Sequence, residues 1–122
     1  MSYDIIHTYR KKDGTGETEL VDVTKEARAE GFMVPVAITR AVHSAYVRIP
    51  AGVEGQTEAR RLKDILSTCA LAAARQKGSA EMNFSLYVRN DEKRLETAKL
   101  KCVCGPDEDG RPCLTILKAD EA

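Results

Sequence analysis

Four cysteines are the residues of this sequence with the clearest potential for chemistry, and three of them lie close together. Cys102, Cys104 and Cys113 flank GPDEDG, a polar segment typical of a tight turn. Structural zinc usually takes about four ligands, often from cysteine pairs with roughly two to four residues between them. A single residue separates Cys102 from Cys104, so a metal would also need Cys113 on their face and a fourth ligand. The candidates for that fourth ligand are Cys69, His43 and His7.

Strand pairing around this turn decides where Cys113 points. With Cys104 opposite Cys113, the two thiols share a face and Leu117 points inward, but Leu114 and Ile116 point outward. With Cys102 opposite Leu114, an apolar ladder is buried and Cys113 moves to the other face. A slip of one residue inverts every side chain, so burial of the apolar set favours the second register. A bulge at Gly110 would change which face of the sheet Cys113 and the following side chains occupy.

We therefore predict that Cys69, Cys102 and Cys104 are small buried apolar residues, as free cysteines often are. A metal site at Cys102, Cys104 and Cys113, or a redox role, is the alternative. A nucleophilic cysteine would need a nearby histidine, and the sequence places neither histidine beside a cysteine. No cofactor is expected.

Arg40 and His43 form a second candidate site, on the segment TRAVHSAYV. They could bind a small ligand, and His43 could act as a general base in a pocket. A histidine at the surface with no special task is the plainer interpretation. The glycines match no phosphate-binding loop. The sequence thus leaves an enzymatic role undecided and favours a non-catalytic one.

A third candidate is a basic patch formed by the start of the long helix and the hairpin that follows it. The formal net charge is zero, whereas nucleic-acid binders usually carry a basic excess. The few aromatic residues form no stacking platform. Nucleic acid is therefore an unlikely partner, and a solvated face is the plainer interpretation. The residues of the possible patch are Arg60, Arg61, Lys63, Arg89, Lys93 and Arg94.

These residues must be positioned by the elements of one α+β domain covering residues 1–122. Residues 3–56 predict one or more strands and two short helices, which Thr24 and Thr39 would cap. Residues 57–78 predict a long helix, capped by Thr57, with an apolar stripe that excludes Arg60 and Arg61. Residues 82–119 predict a three-stranded antiparallel meander packed on that helix.

Edge strands are expected in this fold, and they need cover. FMVPVAI contains a proline, which cannot donate a ladder hydrogen bond, so it is predicted to be an edge strand or a buried extended segment. This segment or the final strand would then be an edge that needs cover. A symmetric partner commonly supplies such cover, so a homodimer is a reasonable expectation. The sequence shows neither a secretory signal nor an apolar run that would span a bilayer. We therefore expect a cytoplasmic protein with reduced cysteines and no membrane partner.

The first half of the chain resembles a known family. LVDVTKEARAEGF and PVAITRAV are similar to the signature LVDVS, GF and PVAVTRAV of small uncharacterised bacterial proteins, which phages and plasmids often carry. His43 stands where that family often has tryptophan. The resemblance implies an accessory factor, and such factors commonly bind host proteins. We thus predict a protein-binding factor, with a ligand pocket near Arg40 and His43, or a nucleic-acid site, as alternatives.

Overall fold

A computed structural model describes residues 5–10, 17–76, 78–91, 93–106 and 110–121, and only the backbone of residues 5–10 and 17–19. Six strands form a single sheet in the order β1-β2-β3-β6-β5-β4. All neighbours are antiparallel except β3 and β6, which are parallel. The strands are β1 (Ile5–Arg10), β2 (Glu17–Asp22), β3 (Val36–Thr39), β4 (Glu81–Asp91), β5 (Arg94–Pro106) and β6 (Pro112–Lys118).

The α+β composition agrees with the prediction, but the predicted C-terminal three-stranded antiparallel meander is wrong. The last three strands are half of a six-stranded mixed sheet that also contains the N-terminal strands. The reason is the parallel pairing of Val36–Ile38 with Leu114–Ile116. The Leu114 N–H continues this pairing beyond β3 by donating to the Pro35 carbonyl at 3.0 Å. The two halves of the chain therefore share one sheet.

Of the two alternatives for FMVPVAI, the structure shows the buried extended segment and not the edge strand, and the predicted edge position of the final strand is wrong. FMVPVAI contributes β3, which lies between β2 and β6, and the final strand lies between β3 and β5. Pro35 does not interrupt the ladder because it precedes the strand and uses only its carbonyl. The edges of the sheet are β1 and β4.

Three α-helices and a π-helical turn complete the fold: α1 (Thr24–Ala29), α2 (Arg40–Val42), the π-turn (His43–Val47) and α3 (Glu58–Arg75). The predicted caps at Thr39 and Thr57 are confirmed, since their hydroxyls accept hydrogen bonds from Val42 N–H and Arg60 N–H. Thr24 instead lies inside α1.

The N-cap of α1 is Val23, which makes no side-chain hydrogen bond, so the predicted cap at Thr24 is wrong; Asp22 instead binds the first residue of the helix. Its Oδ1 accepts hydrogen bonds from the Thr24 N–H at 3.0 Å and from the Thr24 hydroxyl at 2.6 Å. The Thr24 Oγ1 in turn accepts from the Val36 N–H at 3.1 Å, which ties the start of α1 to β3.

The core lies between α3 and one face of the sheet. The helix buries an apolar stripe that includes Leu62, Ile65, Leu66 and Cys69. The opposing sheet residues are Val36, Ile38, Met82, Val88, Ala98, Leu100, Cys102, Leu114 and Ile116. The β5–β6 register places Cys102 opposite Ile116 and Cys104 opposite Leu114. Both registers considered from the sequence are therefore wrong. The favoured one is off by two residues, so it still gave the correct face for Cys113.

Replacing Leu66 by alanine should lower the free energy of unfolding by about 3 kcal/mol, because Leu66 is fully buried and a cavity would remain. Met33→Ala is the control, since Met33 is 94% exposed, and its cost should stay below about 0.5 kcal/mol. Urea unfolding followed by circular dichroism measures both. Equal costs would contradict the packing described.

Candidate functional site

The outer edge of β4 carries backbone groups that no neighbouring strand satisfies. Ala80 accepts a hydrogen bond from the Cys104 N–H at 2.8 Å, so even-numbered residues of β4 direct their backbone groups toward β5. Odd-numbered residues direct theirs away from the sheet. Those odd-numbered residues are Glu81, Asn83, Ser85, Tyr87 and Arg89.

The side chains of Arg61 in α3 and of Gln76, the residue that follows α3, bind two of these outward carbonyls. Gln76 Nε2 donates to the Asn83 carbonyl at 3.2 Å, and an Arg61 nitrogen donates to the Arg89 carbonyl at 2.9 Å. The backbone of Ser85 and Tyr87 lies between these two contacts, with no strand beyond it. This central part of the β4 edge is the strongest candidate for a functional site.

The side chains of β4 alternate as the sequence predicted. Met82 and Val88 are buried against the core, and Phe84 and Leu86 are half-buried on the same face. On the other face the side chains are exposed, and that of Tyr87 is 72% exposed. An added strand would thus meet an apolar inner face and a polar outer face.

A cavity of about 210 Å³ lies where α3 begins beside the end of β4. Arg60 and Asp64 line it from the helix, and Leu86, Tyr87 and Leu95 line it from the strands. Leu71, 61% exposed, follows Arg60 and Asp64 on the same flank of α3 by helical spacing. This flank and the edge of β4 therefore border a shallow, partly apolar groove.

Arg61 is a buried structural residue and not part of a surface patch, contrary to prediction. Its side chain is almost fully buried, and burial lowers the pKa of its guanidinium, an effect that Glu96 opposes. Nε donates to the Tyr46 carbonyl at 2.8 Å, and the terminal nitrogens donate to Gln56, Asn90 and the Arg89 carbonyl. Arg61 thereby joins the π-turn, the preceding loop and the end of β4.

Sequence reasoning missed this role, although a signal was present. Arg61 precedes Ile65 by four residues, and Ile65 precedes Cys69 by four, so Arg61 continues the apolar stripe of α3. A cation at such a position must have internal hydrogen-bond acceptors. The other residues of the possible patch, Arg60, Lys63, Arg89, Lys93 and Arg94, are exposed.

His43 is the first residue of the π-turn, and the Arg48 N–H donates to its carbonyl at 2.9 Å. Its Nε2 lies 3.5 Å from Glu58 Oε1. Burial lowers the pKa of His43, Glu58 opposes this effect, and the charges of Arg40 and Arg48 add to it. π-Turns often occur at functional sites, but neither Arg40 nor His43 lines the cavity beside β4. Ligand binding at this pair stays a prediction.

The structure separates the cysteines that were considered as a metal site. Cys102 is buried on the α3 face, Cys113 is on the opposite face, and Cys104 is exposed. The prediction that Cys104 is buried is therefore wrong. Hydrogen bonding to Cys69 and burial both raise the pKa of the Cys102 thiol, which keeps it protonated. Among the described residues, no group of three or more His, Cys, Asp or Glu is placed to hold a metal ion.

Fold and site together define a single-sheet α+β protein in which β4, a strand of 11 residues, forms one edge of the sheet. The chain belongs to a family of unknown function (DUF6573), whose model matches residues 1–122. No curated protein and no solved structure matches it. Within the described part of the chain, no helix has the length and apolarity needed to cross a membrane.

Replacing Arg61 by alanine should lower the free energy of unfolding by about 3 kcal/mol, because buried carbonyls would lose their donor. Arg61→Lys should recover little of this stability, since a lysine ammonium cannot reproduce the planar, forked set of N–H donors of a guanidinium. Arg60→Ala is the matched control, with an expected cost below about 0.5 kcal/mol, because its pairing with Asp64 is exposed. Urea unfolding measures all three, and a harmless Arg61→Ala would contradict the proposed role.

His43 should titrate below its usual pKa, and neighbouring substitutions should move that pKa in opposite directions. Glu58→Gln should lower it further, and Arg40→Gln should raise it. The unfolded chain binds the proton more readily, so this histidine should make stability rise with pH between its folded pKa and about 6.5. NMR titration of the His43 imidazole signals in the wild type and in both variants measures these shifts. Shifts of the same sign would contradict this electrostatic account.

Proposed function

We propose that this protein is a non-catalytic protein-binding factor that accepts an extended segment of its partner as an additional strand along β4. The observation that carries the proposal is the row of outward backbone groups at Asn83, Ser85 and Tyr87, at a sheet edge with no further strand. Such a row is a template for β-strand addition, in which main-chain hydrogen bonds supply much of the affinity.

The composition of β4 supports this role. Proteins commonly protect edge strands by keeping them short or by placing lysine or proline in them. β4 has 11 residues, against a typical strand length of about five or six, and contains neither lysine nor proline. Its formal charges lie near its ends, at Glu81, Arg89 and Asp91, and the residues between are uncharged. The centre of the edge thus lacks the usual protection against pairing.

The surroundings of the edge favour a protein partner over a small ligand. Phe84 and Leu86 offer half-buried apolar surface on one face, and Leu71 adds exposed apolar surface on the flank of α3. These side chains lie along a sheet edge, which suits an extended chain better than a compact molecule. A role in a phage or plasmid and action on a host process stay predictions from the resemblance, and a cytoplasmic location stays a prediction from the sequence.

Ser85→Pro tests the proposal, because it removes one outward N–H without breaking a bond to β5. A photo-crosslinking amino acid replaces the exposed Tyr87 in living bacteria that produce the protein. We expect a crosslinked protein product that Ser85→Pro reduces about tenfold or more, since it also blocks close pairing sterically.

Two controls separate loss of binding from loss of folding. Ser85→Pro should unfold close to the wild-type midpoint, whereas Leu86→Pro should be strongly destabilised, because the Leu86 N–H faces β5. The same crosslinker at Lys99, exposed on β5 away from the edge, should give little product. Absence of product at position 87, or product insensitive to Ser85→Pro, would contradict the proposed function.

A further inference from the structure

We propose that the strand added to β4 is β4 of a second copy of this chain, paired antiparallel about a two-fold axis at Ser85. This inference rests on the proposed function, because it names the partner of the same edge. The two six-stranded sheets would join into one continuous sheet, with both α3 helices on the same face. A two-fold axis perpendicular to the sheet requires antiparallel pairing of identical strands.

The backbone parity of β4 permits this arrangement. Ser85 directs its N–H and carbonyl outward and would exchange two hydrogen bonds with Ser85 of the second copy. Asn83 and Tyr87 also direct theirs outward, and each would pair with the other across the axis. Gln76 and Arg61 donate to the carbonyls of Asn83 and Arg89, and the backbone groups of Ser85 and Tyr87 lie between these two contacts. Main-chain bonding is thus concentrated at the axis.

The inner face is self-complementary in this register. Phe84 lies opposite Leu86 of the second copy, and Met82 lies opposite Val88, so apolar side chains face one another in every pair. Phe84 would approach the cavity that Leu86 lines at the start of the other α3. The core under each helix would then continue across the axis. Opposed apolar pairs of this kind stabilise sheets.

The outer face is complementary in charge. Glu81 lies opposite Arg89 of the second copy, and the two-fold axis generates this pair twice. Lys101, whose Nζ lies 3.9 Å from Glu81 Oε1, is the basic neighbour of Glu81 within its own sheet. Opposite charges directly across a strand pair are favourable, and like charges are unfavourable.

Neighbouring registers lack this match. Moving the axis from Ser85 to Leu86 places Glu81 opposite Asp91 and Met82 opposite Asn90. Moving it to Phe84 places Glu81 opposite Tyr87 and leaves Arg89 beyond the other strand. The axis at Ser85 therefore combines apolar pairing on one face with charge pairing on the other.

Charge reversal tests both the partner and the register. Sedimentation equilibrium of the purified chain should give twice the monomer mass of 13.4 kDa. Glu81→Arg and Arg89→Glu should each raise the dimer dissociation constant about tenfold or more, because like charges would meet twice. The double variant exchanges the two charges and should restore the constant to within about threefold of the wild-type value.

The other outcomes overturn this inference without overturning the proposed function. A monomer at about 200 μM, well above common homodimer constants, would exclude the second copy. Crosslinking at position 87 to a different protein would then leave strand addition intact. A dimer that persists in Ser85→Pro would place the interface elsewhere. A dimer in which the double variant is no better than the single variants would exclude the register at Ser85.

Discussion

The parallel pairing of β3 with β6 is the constraint on which the rest of the molecule depends. It joins an N-terminal half, which contains β1 to β3, to a C-terminal half, which contains β4 to β6. Both β3 and β6 are buried throughout most of their length because each has neighbours on both sides. The same pairing leaves β1 and β4, each two strands beyond the strands of the junction, as the edges of the sheet. The accessible edge therefore follows from the sheet order and not from any property of β4 alone.

Arg61 is the second feature on which the fold depends, because it connects the end of β4 to α3 and to the π-turn. Its guanidinium bonds to Tyr46 in the π-turn and to Arg89 in β4, two segments far apart in the sequence. Asn90 extends the network by donating to the Ala45 carbonyl and to Glu96 on β5. Such a buried cation is tolerable because its donors meet acceptors. The network holds α3 against β4 while leaving the centre of the strand open.

Local signals in the sequence were sufficient for the helices and for the faces of the strands. Thr39 and Thr57 cap as predicted, and the alternation from Met82 to Val88 gives the buried face of β4. Periodicity could not give the parallel β3–β6 pairing, because strand order depends on contacts between residues about 80 positions apart. The register was missed because a shift of two residues preserves every face, so burial alone cannot distinguish the alternatives. An edge position was considered for FMVPVAI because Pro35 cannot donate a ladder hydrogen bond. The Pro35 carbonyl still accepts one from the Leu114 N–H, so the segment can lie inside the sheet.

The exposed apolar residues alone would not identify a binding site, since single exposed apolar side chains are normal on protein surfaces. What distinguishes β4 is that Tyr87, Leu86 and Leu71 border a row of backbone groups that already attracts donors at two positions. Those two contacts show that outward carbonyls of this edge accept hydrogen bonds when donors are within reach. The backbone groups of Ser85 and Tyr87 lie between these two positions, on the side of β4 away from β5. Recognition at this edge would therefore draw its affinity from the main chain and its selectivity from the alternating side chains.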